Sequence, residues 1–215
     1  MNHKINSNII ELFPKEYVME FELSFDPKEI VQKLNPYMSD TTTSFVEEST
    51  NVQVDYTNPF AGGIEINDDC SDLAGSSHSA FGSILKEKEF LSLKDEVLYC
   101  TEEYIKKFNI CPPNILRITN SWCNVMPRGS TLKFHMHVGS LLTGVYYPLL
   151  PEDAMHLSII NPAQSSKDDN REIKMIPMKE GHLYVFPSHF EHGSYIPNNC
   201  DKRIVISFNT IAMAK

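Results

Sequence analysis

Several common sequence devices are missing from this 215-residue chain. No run of about 18 apolar residues occurs, so no membrane span is expected. The chain also lacks a Gly-x-x-x-x-Gly-Lys-Ser/Thr phosphate loop, a Gly-x-Gly-x-x-Gly fingerprint and a Gly-x-Ser-x-Gly elbow. The sequence therefore gives no indication of a P-loop nucleotide hydrolase, a dinucleotide-binding domain or a serine hydrolase.

Basic residues are also few, with 19 Lys and Arg against 28 Asp and Glu and a formal net charge of −9. Binding to nucleic-acid phosphates relies on clustered Lys and Arg, so no nucleic-acid partner is expected. The five cysteines are odd in number and show no Cys-x-x-Cys spacing, which indicates neither a disulfide framework nor a zinc knuckle. Because residues 1–10 also lack a signal-peptide pattern, we expect a reduced, cytoplasmic protein.

A strand followed by a helix is predicted near the beginning of the chain. Apolar residues alternate with mostly polar ones from Tyr17 to Phe25, which is typical of a half-buried strand. The segment Asp26-Pro27-Lys28-Glu29 then supplies an N-cap, a proline at the first helical position and an early acid. We expect this helix to run to about Leu34 and to end at Pro36.

A second helix is predicted from Ser92 to Phe108, where apolar residues recur at helical spacing and charged residues occupy the other side. Asn109 and the prolines that follow are expected to end it. Between the two helices, residues 39–80 are rich in Ser, Thr, Asn, Asp and Gly. This segment is interpreted as a covering flap, weak hairpins or a mobile insertion.

The second half of the chain consists of short apolar or alternating runs separated by turn-forming residues. The runs are 115–125, 140–149, 155–160, 173–176, 182–186 and 203–213. This pattern predicts a mainly β fold with flanking helices, namely a jelly roll (double-stranded β-helix) of about eight strands. We expect residues 115–215 to form this core and residues 1–114 to pack on it as a strand and helix elaboration, in one compact unit.

Histidines supply the clearest chemical pattern. His135 and His137 are two residues apart, and on an extended segment such side chains point to the same side. A third imidazole follows in the segment 186–193, which contains both His189 and His192. Histidine is the commonest side-chain metal ligand, and three ligands leave half of an octahedral ion open. The competing interpretations of the pair are exposed strand histidines or a structural zinc site.

The order of motifs around these histidines resembles that of the 2-oxoglutarate and Fe(II)-dependent oxygenases. The motifs are His135-Met136-His137, Leu142-Thr143-Gly144-Val145-Tyr146-Tyr147, Gly181-x-Leu-x-x-Phe-Pro-Ser, His192-Gly193, Arg203 and Ser207-Phe208-Asn209. The resemblance covers roughly residues 115–212. It is strongest to a branch of the family that is frequent in phage and marine bacterial genomes.

The resemblance implies a role for each matching residue. His135 and His192 take the places of the first and last iron ligands, and His137 occupies the place where the family usually has a carboxylate. Arg203 matches the basic residue that holds the distal carboxylate of 2-oxoglutarate, a role suited to a planar guanidinium with two parallel N–H groups. Tyr147 matches a hydroxyl that assists this contact.

Supporting positions follow from strand alternation. Ser207 shares a strand face with Arg203, and its hydroxyl is expected to contact the same carboxylate. Tyr146 and Tyr147 are neighbours, so only one of them faces inward. Asn124 is a polar position in apolar surroundings and is expected to support the site.

Two further residues near the motifs, Asn209 and His189, are not expected to bind the metal directly. Asn209, like Asn124, is a polar residue in an apolar run and is interpreted as support for the ligands. His192 is preferred over His189 as the third ligand because its His-Gly context and its spacing to Arg203 fit the family pattern. His189 is expected at the rim of the site.

The resemblance implies an Fe(II)- and 2-oxoglutarate-dependent dioxygenase that uses O2 to hydroxylate an unidentified substrate and releases succinate and CO2. One alternative is a cupin-type dioxygenase whose three histidines bind iron without 2-oxoglutarate. The other is a non-catalytic jelly-roll module with a structural metal. A small molecule or a peptidyl side chain is the expected substrate, and a homodimer is the default expectation for a soluble oligomer.

Overall fold

The computed structural model describes residues 5–37, 64–65, 75–76, 83–110, 115–164 and 170–213. Within these ranges the helices are α1 (27–37) and α2 (Leu91–Lys107). The strands are β1 (Ser7–Phe13), β2 (Glu16–Glu22), β3 (Ile64–Glu65), β4 (Gly75–Ser76), β5 (Ile115–Pro127), β6 (Thr131–Leu132), β7 (Leu142–Leu149), β8 (Leu157–Ile160), β9 (Ile173–Ile176), β10 (His182–Pro187), β11 (His192–Gly193) and β12 (Lys202–Met213).

The strands form one large and two small antiparallel sheets. The large sheet has the order β1-β2-β10-β7-β12-β5-β4, the second has the order β11-β8-β9, and β3 pairs with β6. The six runs predicted after residue 114 correspond to β5, β7, β8, β9, β10 and β12, with bounds that differ by at most two residues. The prediction of a mainly β double-stranded β-helix with flanking helices is therefore confirmed.

Period-2 alternation divides the large sheet between two apolar cores. On β7, Leu142 and Tyr146 belong to the core that also contains residues of α1 and α2. Val145 and Tyr147 face the other way and pack with Leu157 and other residues of the second sheet. The site described below lies between the two sheets, on this second face.

The first helix begins as predicted but extends further. Asp26 Oδ1 accepts a hydrogen bond from the Lys28 backbone N–H at 3.0 Å, which is an N-cap contact. The helix is described to residue 37, so the prediction that Pro36 ends it was wrong. A proline in a last turn removes one backbone hydrogen bond, and burial of Ile30 and Leu34 in the core holds the helix in place.

The second helix starts at Leu91, one residue before the predicted Ser92, after two short 3-10 turns. Asn109 adopts a positive φ of 49° directly after it. The Asn109 N–H donates to the Lys106 carbonyl at 3.3 Å and the Ile110 N–H donates to the Ile105 carbonyl at 3.1 Å. This is a Schellman end, and the prediction that Asn109 stops the helix is confirmed.

The amino-terminal strands extend the large sheet. The predicted strand at Tyr17 corresponds to β2, which pairs with β10, while β1 was not predicted and adds the outer strand through a turn at Lys15. The division of the chain at residue 115 stays a prediction. The proposed flap at 39–80 lies outside the described residues, apart from the short strands β3 and β4.

No helix among the described residues is both long enough and apolar enough to span a bilayer.

Candidate metal centre

Three histidine rings meet between the two sheets. The ring centroids are 5.0 Å apart for His135 and His137, 4.4 Å for His135 and His192, and 5.1 Å for His137 and His192. One ligand nitrogen from each ring lies within 4.8 Å of the others. A spacing of this size fits three ligands around one metal ion of the kind that imidazoles bind.

Backbone hydrogen bonds bring these rings together. The His135 N–H donates to the His192 carbonyl and the His192 N–H donates to the His135 carbonyl, both at 2.9 Å. The His137 N–H donates to the Ser188 carbonyl at 2.9 Å. His135 forms an isolated antiparallel bridge with His192. The rings converge as the spacing predicted.

Two of the rings have their tautomer set by main-chain carbonyls. His135 Nδ1 lies 2.7 Å from the Lys133 carbonyl oxygen, and His192 Nδ1 lies 2.9 Å from the Phe190 carbonyl oxygen. A carbonyl only accepts, so each Nδ1 carries the proton and each neutral ring presents Nε2 as its basic nitrogen. A partner of this kind on the far ring nitrogen is typical of metal-binding histidines.

Burial keeps these imidazoles neutral. The pKa of His192 lies well below the usual 6.5 because the ring is buried and because His135 and His137 lie beside it. Burial also lowers the pKa of His135. Neutral imidazole is the form that coordinates a metal, and burial favours this form in His135 and His192.

The third ring, that of His137, contacts side chains. Asn209 Nδ2 lies 3.3 Å from His137 Nδ1, and the hydroxyl of Thr143 donates to Asn209 Oδ1 at 2.8 Å. The ring of Trp122 lies 5.6 Å from that of His137. Trp122 and Thr143 were not predicted as site residues, although Thr143 shares a strand face with Tyr147 and alternation could have identified it.

A buried arginine lies in the same cavity. Arg203 is 3% exposed, and its Nη1 and Nη2 donate to the Met155 carbonyl at 3.2 Å and to the Tyr147 hydroxyl at 3.3 Å. Its Nε has no hydrogen-bond partner, and within the described ranges no carboxylate lies at ion-pair distance from it. A buried cation with an N–H group that is still available to donate is suited to binding an anionic ligand.

Strand alternation selects Tyr147 over Tyr146 for this cavity. The Arg203 guanidinium carbon lies 5.0 Å from the centre of the Tyr147 ring, while Tyr146 faces the helices. Burial raises the pKa of Tyr147, and Arg203 reduces this effect. The hydroxyl therefore stays protonated at neutral pH and accepts from Arg203 while keeping its own proton to donate.

All seven predicted site residues line one cavity. The side chains in its wall are Trp122, Asn124, Leu132, His135, His137, Thr143, Val145, Tyr147, Leu157, His192, Arg203, Val205 and Ser207. Ser207 and Asn124 thus line the same cavity as Arg203. His189 is exposed, packs edge-on against Phe190 with ring centroids 5.1 Å apart, and lies outside this wall.

Several solved structures share this fold. The viral collagen prolyl hydroxylase of Paramecium Bursaria Chlorella virus-1, in complex with 2-oxoglutarate, aligns with a TM-score of 0.55 and 12% identity, covering 94% of this chain and 100% of that chain. A Pseudomonas putida prolyl-4-hydroxylase aligns with a TM-score of 0.52 and 10% identity, covering 94% and 95%. HygX from Streptomyces hygroscopicus, with nickel and 2-oxoglutarate bound, aligns with a TM-score of 0.54 and 10% identity, covering 94% and 85%. No curated protein matches the chain significantly.

Residues 120–209 match the model of a family described as "Putative 2OG-Fe(II) oxygenase". The matched segment contains the three converging histidines, Arg203 and Tyr147. This match covers less than half of the chain and supports a 2-oxoglutarate/Fe(II) oxygenase. Fe(II) and 2-oxoglutarate are the cofactors that the match supports. The match favours the leading interpretation over the cupin-type enzyme without 2-oxoglutarate and over the non-catalytic module.

Proposed function

We propose that His135, His137 and His192 bind Fe(II) and that Arg203, with Tyr147, binds the distal carboxylate of 2-oxoglutarate. The observation that carries this assignment is the buried Arg203 guanidinium, which lacks a carboxylate partner within the described ranges and lines the same cavity as the histidines. 2-Oxoglutarate is a dianion with two different ends. Its distal carboxylate can bind the guanidinium while its keto acid group binds the metal.

Charge supports this choice of ligand. The proposed donor set contains three neutral imidazoles and no carboxylate, so it brings no negative charge to the metal. Arg203 adds a further positive charge to the cavity. The position of His137 therefore makes the cavity more cationic than one with the usual carboxylate, and a dianionic ligand gains more from entering it.

We propose that the oxygenase hydroxylates a C–H bond of its substrate, with succinate and CO2 as the other products. When bound, Fe(II), 2-oxoglutarate and O2 supply the oxidising chemistry. The chain orients the keto acid by the paired N–H groups of Arg203 and the Tyr147 hydroxyl. Ser207 adds a hydroxyl to the wall of the same cavity, and the apolar side chains of Val145 and Leu157 exclude water from it.

We propose a small-molecule or peptidyl substrate and no nucleic-acid partner. The net charge of −9 argues against broad contact with phosphates. Among the structures with this fold, two are prolyl hydroxylases by name, and HygX has been solved with hygromycin B. We also propose a reducing, cytoplasmic location, which the free thiols of Cys100, Cys123 and Cys200 support. A homodimer is proposed as the oligomeric state.

Anaerobic titration of the Fe(II)-loaded protein with 2-oxoglutarate tests the assignment. Chelation of the metal by the keto acid gives a weak visible charge-transfer band, which we expect in the wild type and which should require much more 2-oxoglutarate in Arg203→Met. Arg128→Met is the matched control, because Arg128 is exposed and pairs with Asp201 at the surface. It should titrate like the wild type.

Two outcomes would contradict the assignment. Metal binding without a band at saturating 2-oxoglutarate would exclude the keto acid from this centre. Equal titration of Arg203→Met and the wild type would mean that Arg203 does not hold the distal carboxylate. If the band behaves as expected, succinate release in the presence of candidate substrates is the next measurement.

A further inference from the structure

The far nitrogen of the His137 ring contacts a side-chain amide, unlike those of the other two histidines. His135 and His192 each direct Nδ1 at a main-chain carbonyl, which cannot donate. His137 directs Nδ1 at the Asn209 amide, with Nδ2 at 3.3 Å. An amide has a donor end and an acceptor end, so the tautomer of this one ring depends on how the amide is turned.

The two orientations of the Asn209 amide have opposite consequences for His137. An N–H that donates to Nδ1 requires an unprotonated Nδ1, and a neutral ring then carries its proton on Nε2. A half-turn of the amide instead presents Oδ1, which accepts from an Nδ1–H and leaves Nε2 basic. Only the second orientation gives His137 the tautomer that His135 and His192 already have.

Thr143 is placed to stabilise either orientation. Its hydroxyl lies 2.8 Å from Asn209 Oδ1, and a hydroxyl both donates and accepts. After the half-turn the same oxygen accepts from Asn209 Nδ2. Both side chains are buried, Asn209 at 1% and Thr143 at 0% exposure, so bulk water does not replace these contacts.

The position of this pair follows from the sheet. Asn209 of β12 and Thr143 of β7 are direct cross-strand partners, so their side chains stand together on one face. Asn209 pairs with Asn120 of β5 and Thr210 pairs with Ile118, so the register shifts here and Thr119 of β5 is the extra residue. Irregularities of this kind are common beside functional sites, and this one is on the strand next to the residue that contacts His137.

We propose that Asn209, held by Thr143, is a positioning residue that switches the His137 ring into its metal-binding tautomer by turning its amide. This inference rests on the proposed role of His137 as a ligand. In this proposal Asn209 sets the tautomer of His137, as the main-chain carbonyls do for His135 and His192. Asn209 touches neither metal nor substrate and acts through His137.

The test is anaerobic titration with Co(II) alone, whose visible absorption reports both affinity and coordination geometry. Removing the amide in Asn209→Leu should weaken Co(II) binding about 10- to 100-fold, which is typical for loss of a partner on a metal-binding histidine. Asn209→Asp offers only acceptor oxygens and should bind Co(II) at least as tightly as the wild type. Thr143→Val should weaken binding, and Thr143→Ser should restore it.

A second readout follows the tautomer itself. Nitrogen-15 chemical shifts of the His137 ring should place the proton on Nδ1 in Asn209→Asp. Asn120→Leu is the matched control, since Asn120 is the partner of Asn209 on the neighbouring strand and does not line the cavity. It should leave Co(II) affinity and the ring shifts unchanged.

The outcomes separate this inference from the ligand assignment. If His137→Ala binds Co(II) like the wild type, His137 is not a ligand and both proposals fail. If His137→Ala loses affinity while Asn209→Leu and Thr143→Val bind like the wild type, the ligand assignment stands and the role of Asn209 is overturned. An Nε2 proton on His137 in Asn209→Asp would also overturn it.

Discussion

His135 and His192 are joined by two reciprocal backbone hydrogen bonds of 2.9 Å, although they are far apart in the sequence. Gly193 makes this approach possible. A Cβ added at Gly193 would lie 2.7 Å from the Leu132 carbonyl oxygen and 2.9 Å from the Phe134 nitrogen, and both of these atoms belong to backbone. The geometry of the candidate metal centre therefore depends on Gly193, which has no side chain that could bind a metal.

The first prediction concerns Gly193→Ala. The added methyl group should push the His135 segment away from β11, because the backbone atoms it meets cannot rotate aside. We expect Co(II) or Fe(II) affinity to fall by at least about 10-fold, with a loss of unfolding free energy of about 1–3 kcal/mol. Metal titration and urea denaturation measure the two effects.

Gly144→Ala is the control for this change. Its Cβ would meet the Phe208 ring at 2.2 Å, on the face of the sheet that carries the helices. It should also cost stability, yet metal affinity of the folded protein should be retained. Equal metal affinity in Gly193→Ala and the wild type would contradict the prediction.

The second prediction compares two neighbouring tyrosines. The Tyr146 hydroxyl is buried and has no hydrogen-bond partner among the described residues, so Tyr146→Phe should be neutral or should stabilise the fold by about 1 kcal/mol. Tyr147→Phe removes the hydroxyl beside Arg203 and should weaken 2-oxoglutarate binding several-fold. Denaturation and anaerobic titration of both variants check this, and a larger 2-oxoglutarate defect in Tyr146→Phe would contradict it.

The third prediction is that Arg203 lowers the stability of the ligand-free protein. Its buried guanidinium lacks a carboxylate partner in the described ranges, and replacing buried charges by apolar residues often stabilises a protein by about 1–4 kcal/mol. Arg203→Met should therefore unfold at a higher urea concentration than the wild type without 2-oxoglutarate. Added 2-oxoglutarate should stabilise only the wild type. A strong loss of stability in Arg203→Met would show that its contacts to Met155 and Tyr147 outweigh its desolvation.

The fourth prediction concerns pH. Burial lowers the pKa values of His135, His182 and His192, the last of these well below 6.5. When the pH falls below about 6.5, these histidines protonate in the unfolded chain before they do so in the folded one. The unfolded state then binds more protons than the folded state. The free energy of unfolding therefore decreases as the pH falls from about 6.5 through the pKa values of these histidines in the folded protein.

Denaturation of the metal-free protein in chelator between about pH 7 and 5 measures this loss. His192→Gln should show a smaller decrease, because it removes the most strongly shifted imidazole. The pKa of Glu20 is lowered from 4.5: burial opposes this shift, and hydrogen bonds from Lys179, Tyr184 and Asn8 prevail. Its contribution is therefore lost only at still lower pH. A wild-type stability that is constant over the window would contradict the prediction.

Much of the core fold could be predicted because the strands after residue 114 are short apolar or alternating runs that turn-forming residues separate. The convergence of His135, His137 and His192 was predicted from motif order, and the cavity wall contains these three and the other four residues predicted to bind or support the cofactors, whereas Asn209 and His189 are not part of it. Their chemical roles stay predictions.

Other features depend on tertiary contacts that a linear pattern does not contain. Pro36 lies inside α1 because the core holds that helix, and β1 was missed because its residues are mostly exposed and carry a weak signal. The pairing of Thr143 with Asn209 requires knowledge of which strands are neighbours and in which register. A single sequence states neither.

The alternation of side chains along β12 determines which mutations this strand can accept. Arg203, Ser207 and Asn209 occupy one face of the strand, while Ile204 and Phe208 occupy the other. A deletion of one residue would turn every later side chain to the opposite face, placing polar groups among the helices and apolar ones beside the histidines. New variants of this enzyme can therefore arise by substitution along β12, whereas changes in chain length are confined to the connecting loops.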